Sequence, residues 1–368
     1  MEDWGDPWFR EPLRLLLGAL EDEARLTVLG RILARAEIQR MLQNRLTIEA
    51  NVRQHPEIEE QPIEAPVVIT GLGRTGTTLL HDLLAQDPAV RVPMQWELMY
   101  PVPPPEAASY ASDPRIERVR REIGVMEAAD PAFPTMHELA ADLPTECIYI
   151  LAHQFASHMF VGEFNVPSYA VWIMTADMIP AYTYHRRFLQ LLQWRCRGAR
   201  WVLKAPSHLS SLPTLFGVYP DARVVITHRD PLRVVASLAN LMATLQRMRS
   251  DHVDYGTLAA GIAYGFAELV QSVMRQRQRG EVPDERIIDV RYQDLTADPV
   301  ATVAGLYERW GIRFSTEAET RVRERIRRLP DDGSRLHRYA FEDTGLTAAA
   351  QRERFAPYLE QYGIPAEV

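Results

Sequence analysis

The chain has only two cysteines, Cys147 and Cys196, and they form neither a C-x-x-C pair nor any other metal-ligand spacing. That excludes a disulfide-stapled or zinc-ribbon scaffold and leads us to expect a reducing, cytoplasmic setting. Net basic charge is missing too: a balance of -8 argues against general nucleic-acid binding, although locally grouped basic residues still suit a small polyanion. The acidic segment MEDWGDPWFREP does not resemble a signal peptide, and no apolar run approaches the ~20 residues of a bilayer-spanning helix, so no transmembrane segment is expected. Internal repeats, low-complexity tracts, an H-E-x-x-H motif and clustered Cys/His ligands are absent as well, and no metal is expected. What remains is a 368-residue chain with 46% hydrophobic residues, enough for one large α/β domain or two ordinary ones.

Between Pro12 and about Ala50 apolar residues recur at helical spacing (Leu26, Leu29, Leu33, then Ile38, Met41, Leu42), which predicts two or three amphipathic helices. HPEIEEQPIEAP then reads as a proline-punctuated linker. Five strands are predicted at VVIT, AVRVP, WVLKAP, ARVVITHRDP and RIIDVRYQDL, with helical stretches between most of them. This alternation predicts a mostly parallel sheet covered by helices. A long insertion from Pro101 to Trp194 is proline-rich at first and then aromatic, with Phe160, Phe164, Tyr169, Trp172, Tyr182, Tyr184, Phe188 and Trp194.

The first strand breaks into GLGRTGTT. At such a junction the backbone N–H groups of the turn and the helix dipole favour an anionic oxygen. Read as G-x-G-x-x-G, the glycines Gly71, Gly73 and Gly76 suggest a dinucleotide site, with Glu97 at the spacing of a ribose-binding acid. Read as G-x-x-x-x-G, they suggest a P-loop in which Thr77 replaces the lysine and Thr78 holds the hydroxyl position. Arg74 inside the turn supplies a cation suited to a phosphate or a leaving sulfonate. Turns of this kind also serve packing alone. A second strand-to-helix junction, DARVVITHRDPLRVVASLANL, places Arg229 at a strand end and Ser237 two turns into a helix. Asp230 is its predicted cap and Pro231 stands in its first turn. Arg229 and Ser237 together form a candidate second phosphate subsite.

These two loops in this order resemble the cofactor loops of the sulfotransferases that use 3′-phosphoadenosine 5′-phosphosulfate (PAPS), closest to the bacterial and protein-tyrosine branches with P-R-S-G-T-T loops. WVLKAPSHLSSLPTLFGVYPDARVV and VRYQDLTADPVATVAGLYERWGI extend the resemblance over roughly Pro66 to Leu346. The resemblance implies an α/β, P-loop-like, mostly parallel sheet flanked by helices, with N-terminal helices and a helical acceptor-site cap. It further implies one domain over residues 1–368: a helical flank (1–60), the 5′-phosphosulfate loop and base segment (61–100), a helical cap (101–196), the 3′-phosphate half (197–346) and a C-terminal helix and tail (347–368).

By the same resemblance Gly73, Arg74, Thr75, Gly76, Thr77 and Thr78 hold the phosphosulfate, Arg229 and Ser237 hold the 3′-phosphate, and Tyr292 lies near adenine. Lys204 stabilises the leaving phosphate, and Glu97, beside the desolvating Trp96, is the favoured base, with His208 as competitor. Gly73 stands where the family commonly has proline. The cytosolic branch's arginine-lysine-glycine tripeptide is replaced by SRLHRYAFEDTGL, in which Arg335 or Arg338 is the candidate 3′-phosphate contact. Asp142 and Glu146 fit either an acceptor site or a solvated helix start. The aromatic insertion favours a small apolar or aromatic acceptor, such as a lipid, glycolipid, polyketide or phenol. The helical flanks fit a homodimer or a monomer equally. The readings weighed against a sulfotransferase giving PAP are an NAD(P)-dependent oxidoreductase and a non-catalytic nucleotide-binding module.

Overall fold

A computed structural model describes residues 3–129, 140–329 and 340–368. The chain divides into two compact units, each assembled from three separated stretches: Met1–Glu64, Val92–Ala199 and Thr244–Val253 form a helical unit, and Ala65–Arg91, Arg200–Ala243 and Asp254–Val368 a sheet unit.

The sheet unit holds five parallel strands, β1 (Val67–Gly71), β2 (Val90–Arg91), β3 (Arg200–Lys204), β4 (Arg223–His228) and β5 (Ile287–Arg291), in the order β2-β3-β1-β4-β5. All five lie where the sequence predicts them. Every residue of β1 is buried, as expected of a central parallel strand covered on both faces, and each of Val67, Val68 and Ile69 contributes roughly 1.5–3 kcal/mol by burial. The strand order decides between the two glycine readings. In a dinucleotide fold the first strand neighbours the second, whereas here β1 lies between β3 and β4, with β2 at the sheet edge. A hydroxyl ties β1 to the chain leaving β3: Thr70 Oγ1 donates to Ala205 O (3.0 Å).

Two long helices of this unit, Tyr255–Gln278 and Ala348–Tyr362, pack on each other. By length and composition the first is apolar enough to cross a membrane, which corrects the expectation that no such stretch exists. Its longest run without a charged or amide side chain, YGTLAAGIAYGFA, is short and mostly alanine and glycine. It buries Ala259, Ala263, Ala267, Val270 and Val273, as a core helix does.

A polar chain fastens the second helix to the strand ends. His228 lies with Nδ1 2.9 Å from Tyr358 Oη and Nε2 2.8 Å from Asp289 Oδ1, and its ring stacks on Tyr362 with centroids 4.0 Å apart. An ionised carboxylate only accepts, so Nε2 donates to Asp289 and Nδ1 of the neutral ring accepts from the tyrosine hydroxyl. Burial pushes the Asp289 carboxyl up, but hydrogen bonds from His228 and Arg277 outweigh it and hold the pKa at about 2. Burial also pushes His228 below its ordinary value, against the pull of Asp289.

Both shifts act with one sign. Asp289 adds stability that is complete above the unfolded carboxylate value of about 4 and is lost as pH falls through about 2. Unfolded His228 takes up a proton below about pH 6.5 that the folded ring resists, so its contribution also falls with acid. The thermal midpoint should therefore drop as pH is lowered from about 7 to about 4, and His228→Gln should flatten the upper part of that slope in a melting series. An unchanged slope in the variant would remove His228 from the account.

The helical unit contains Arg10–Asp22 and Val28–Gln54, where the sequence predicts two or three amphipathic helices, and the helices Pro114–Ala129, Ile148–Ala152, His158–Glu163, Pro167–Thr175 and Ile179–Gln193; of the predicted apolar face Ile38 and Met41 are buried, whereas Leu29 and Leu33 are exposed. Arg45 is fully buried, donating through Nε to Trp4 O and through Nη2 to Asp6 O, both at 2.7 Å, with Phe9 and Tyr184 against its guanidinium. Six of the eight aromatics singled out in the insertion, Phe160, Phe164, Tyr169, Tyr182, Tyr184 and Phe188, are buried. Phe160 meets Tyr169 edge-on, and Tyr169 Oη donates to Phe155 O (2.6 Å). Most of the insertion's aromatic content therefore builds interior, leaving Trp172 and Trp194 partly exposed.

Candidate functional site

The carboxyl ends of β1, β3 and β4, three adjacent strands, carry the glycine turn, Lys204 and Arg229 respectively. Ligand sites of open parallel sheets form at such ends, where the chain's path across the sheet reverses.

After β1 the chain turns through Gly71, at φ 144°, and through Gly76, at φ 91°, which caps the helix Thr77–Leu84. A Cβ on Gly71 would lie 2.5 Å from Thr227 O, and one on Gly76 would lie 3.0 Å from the Tyr292 ring. Gly73, by contrast, has an ordinary backbone conformation, and a Cβ there would make only normal contact with Leu238 at 3.6 Å. The turn's need for glycine therefore rests on Gly71 and Gly76, where the backbone is left-handed and a side chain would collide with Thr227 or press on Tyr292. Arg74 adopts the left-handed region at φ 70°, at a cost of about 1–2 kcal/mol for a residue with a Cβ. Its Nε donates to Ser237 Oγ (3.0 Å), a link between the two predicted anion loops.

Thr75 is buried, and its hydroxyl donates to Leu72 O and shares a hydrogen bond with Thr227 Oγ1, both at 2.6 Å. This narrows the expected role of Thr75: its side chain shapes the turn. Thr77 is buried at the first helical position and Thr78 is exposed beside it. Lys204 ends β3 opposite Ile69 and is 1% exposed; its Nζ donates to Thr78 Oγ1 at 3.3 Å. It is the only lysine among 41 basic side chains. His208 is buried in the 3-10 turn Pro206–Ser211 that follows.

At the end of β4, Asp230 Oδ1 accepts from Leu232 N (3.0 Å), the predicted cap of the helix Pro231–Arg247. Arg352 also grips both oxygens of that carboxylate. Arg229 lies over the ring of Tyr292 with 3.9 Å between guanidinium carbon and centroid, and its Nη1 donates to Arg74 O (3.3 Å). Arg74, Gly76, Lys204, Thr78, Arg229, Ser237 and Tyr292 thus form one connected cluster within the sheet unit. Sequence reasoning missed the carboxylate that shares it: Glu367, 138 residues beyond Arg229, accepts from Arg229 Nε and Nη2 at 2.8–3.0 Å. No local pattern could have revealed that pair. Arg335 and Arg338 lie outside the described residues.

Glu97 belongs to the helical unit. It sits in the short helix Gln95–Met99, fully buried, with Oε2 accepting from Met94 N at 2.9 Å. Trp96 and Met99 anchor that helix in an apolar cluster with Val119, Ile123 and Ala141, and Arg115 stacks on Trp96 at 4.6 Å. Glu97 therefore stands on a helix beyond β2 rather than at the end of a strand beside β1, which removes its role as a ribose-binding acid. Asp142 is exposed, 3.9 Å from Arg120.

The sequence profile described as the sulfotransferase family matches residues 66–316. The sulfotransferase STF1 from Mycobacterium tuberculosis H37Rv is 34% identical, with 97% of this chain and 94% of that one covered and a TM-score of 0.86. For the sulfotransferase STF9 from Mycobacterium avium the identity is 31%, the coverage 99% and 93%, and the TM-score 0.91. A curated relative, the omega-hydroxy-beta-dihydromenaquinone-9 sulfotransferase Stf3 of Mycobacterium bovis, is 26% identical over 255 residues, which make up 68% of this chain and 63% of the relative. That match spans under two thirds of the relative's length. The matched segment contains both predicted anion loops, and the fold follows two members almost end to end: the chain belongs to the sulfotransferase family.

Proposed function

We propose that the protein moves a sulfuryl group from PAPS to the hydroxyl of a small apolar or aromatic acceptor, giving PAP and a sulfate ester. The observation that carries this reading is the direct link between the two anion loops, Arg74 to Ser237 and Arg229 to the Arg74 carbonyl, with the ammonium of Lys204 bonded to the same turn's Thr78. This donor set fits a nucleotide with phosphate at two ends. The turn amides, Arg74, Thr77 and Thr78 would hold the 5′ side; Arg229 and Ser237 would hold the 3′-phosphate beside Tyr292. PAPS supplies the sulfuryl group and a phosphate leaving group. The chain's part is to orient the donor, neutralise charge through Lys204 and take the acceptor proton through Glu97.

A hydroxylated apolar acceptor is the class that the relative's name supports, since it specifies a hydroxylated dihydromenaquinone. The two free cysteines fit a reducing, cytoplasmic site of action. Calorimetry with PAP, adenosine 5′-phosphate and NAD⁺ tests the cofactor assignment. PAP should bind most tightly, and Arg229→Ala should weaken PAP by roughly 10–100-fold while leaving adenosine 5′-phosphate nearly unchanged. A preference for NAD⁺, or PAP binding indifferent to Arg229, would overturn it.

A further inference from the structure

The last residues of the chain do more than follow the final helix. Gly363 closes the helix Ala348–Tyr362 in the left-handed conformation, and the tail then runs to Glu367, whose backbone N–H donates to Asp230 Oδ2 (2.6 Å). Val368 O accepts from Arg352 Nη2 (2.8 Å), and Gln293 Nε2 donates to the Glu367 carboxylate (3.2 Å). Main-chain bonds on both sides thus aim this carboxylate at Arg229. The ion pair is side-on and bidentate, and its partners are only 14% and 22% exposed, unlike the freely solvated pairs found on helix surfaces.

We infer that Glu367 is an internal competitor in the nucleotide site: an anion holding the donor edge of Arg229 that a 3′-phosphate must displace. The inference rests on the assignment of Arg229 to that phosphate. A guanidinium offers one such edge, Nε with Nη2, and the carboxylate occupies it. A phosphate monoester carries up to two charges and three acceptor oxygens, so it can replace one carboxylate on this edge. A ribose 3′-hydroxyl is neutral and cannot offset the loss of the ion pair. Nucleotides without a 3′-phosphate leave the pair intact, so Glu367 moderates the affinity for PAP alone and holds its advantage over them below what Arg229 could otherwise give.

The test is calorimetry of the full chain and its Glu367→Gln variant with PAP and with adenosine 5′-phosphate. Glu367→Gln should bind PAP about three- to tenfold more tightly, the scale of one partly shielded ion pair, with adenosine 5′-phosphate unchanged and the thermal midpoint nearly so. Glu367→Ala should shift PAP affinity in the same direction, and in an Arg229→Ala background neither substitution should matter. Weaker PAP binding would overturn the inference by showing that Glu367 positions Arg229 for the phosphate. Equal shifts for both nucleotides would also overturn it, tracing the effect to tail packing. Should Arg229→Ala leave PAP binding intact, the assignment of the subsite itself fails. Loss of PAP binding in Arg229→Ala with no change in Glu367→Gln would sink only the role of Glu367.

Discussion

Replacing Lys204 with methionine is expected to lower kcat by roughly 10²–10³-fold, the cost of removing one preorganised donor from a developing oxyanion. The substitution keeps an unbranched side chain, one heavy atom shorter, and removes the charge together with the bond to Thr78. In the folded chain that charge is expensive. Lys204 is 1% exposed, and its ammonium lies against Thr78 in the first turn of a helix, the positive end of the helix dipole. Lys204→Met should therefore lower turnover far more than it lowers PAP affinity. A purely structural lysine would behave the other way, with stability lost and residual activity tracking the folded fraction. Lys204→Arg sharpens the point. This chain uses arginine at every other basic position, yet the broader guanidinium fork should not restore full turnover where a compact ammonium fits between β3 and the turn. Single-turnover rates with labelled PAPS and an excess of acceptor would separate the chemical step from binding.

The strands were legible because burial on both faces makes them short apolar runs: Val67–Gly71 and Arg223–His228 need no partner to be recognised. Their order was not. That β1 pairs with β3 and β4, leaving β2 at the edge, depends on contacts over a hundred residues apart, for which local pattern carries no signal. The glycine motif showed where an anion turn lies but not which glycines it needs; the left-handed backbone falls on Gly71, Gly76 and, without any sequence cue, Arg74. Asp230 could be read as a cap from the proline that follows it, whereas the hold of Arg352 on the same carboxylate could not. The helix Tyr255–Gln278 escaped notice because its apolar character is spread through alanine and glycine. The division into two units was hidden for a simpler reason. Each is discontinuous, so no linker in the sequence marks a boundary.

Glu97→Gln should cost roughly 10²–10⁴ in kcat, the range that general-base catalysis supplies, with PAP affinity unchanged. The choice of glutamine follows from the structure. Glu97 accepts the Met94 N–H at 2.9 Å, so part of its work is to fasten the start of the helix Gln95–Met99. Alanine would remove that bond as well as the base, at a cost of about 1 kcal/mol in local stability. Glutamine retains an oxygen that can accept from Met94 and removes only the capacity to take a proton. If capping were the whole role of Glu97, Glu97→Gln would turn over like the parent and Glu97→Ala would merely melt earlier. If Glu97 is the base, Glu97→Gln should also lose the acid limb of the pH–rate profile, because no group remains whose protonation shuts the reaction off. His208 supplies the contrast. Buried in the turn after β3, it is the other group that sequence alone offers, and His208→Gln should reduce kcat by less than about tenfold if Glu97 carries the proton. The reverse pattern, with Glu97→Gln active and His208→Gln silent, would move the base to the histidine while leaving the two anion subsites and Lys204 in their roles.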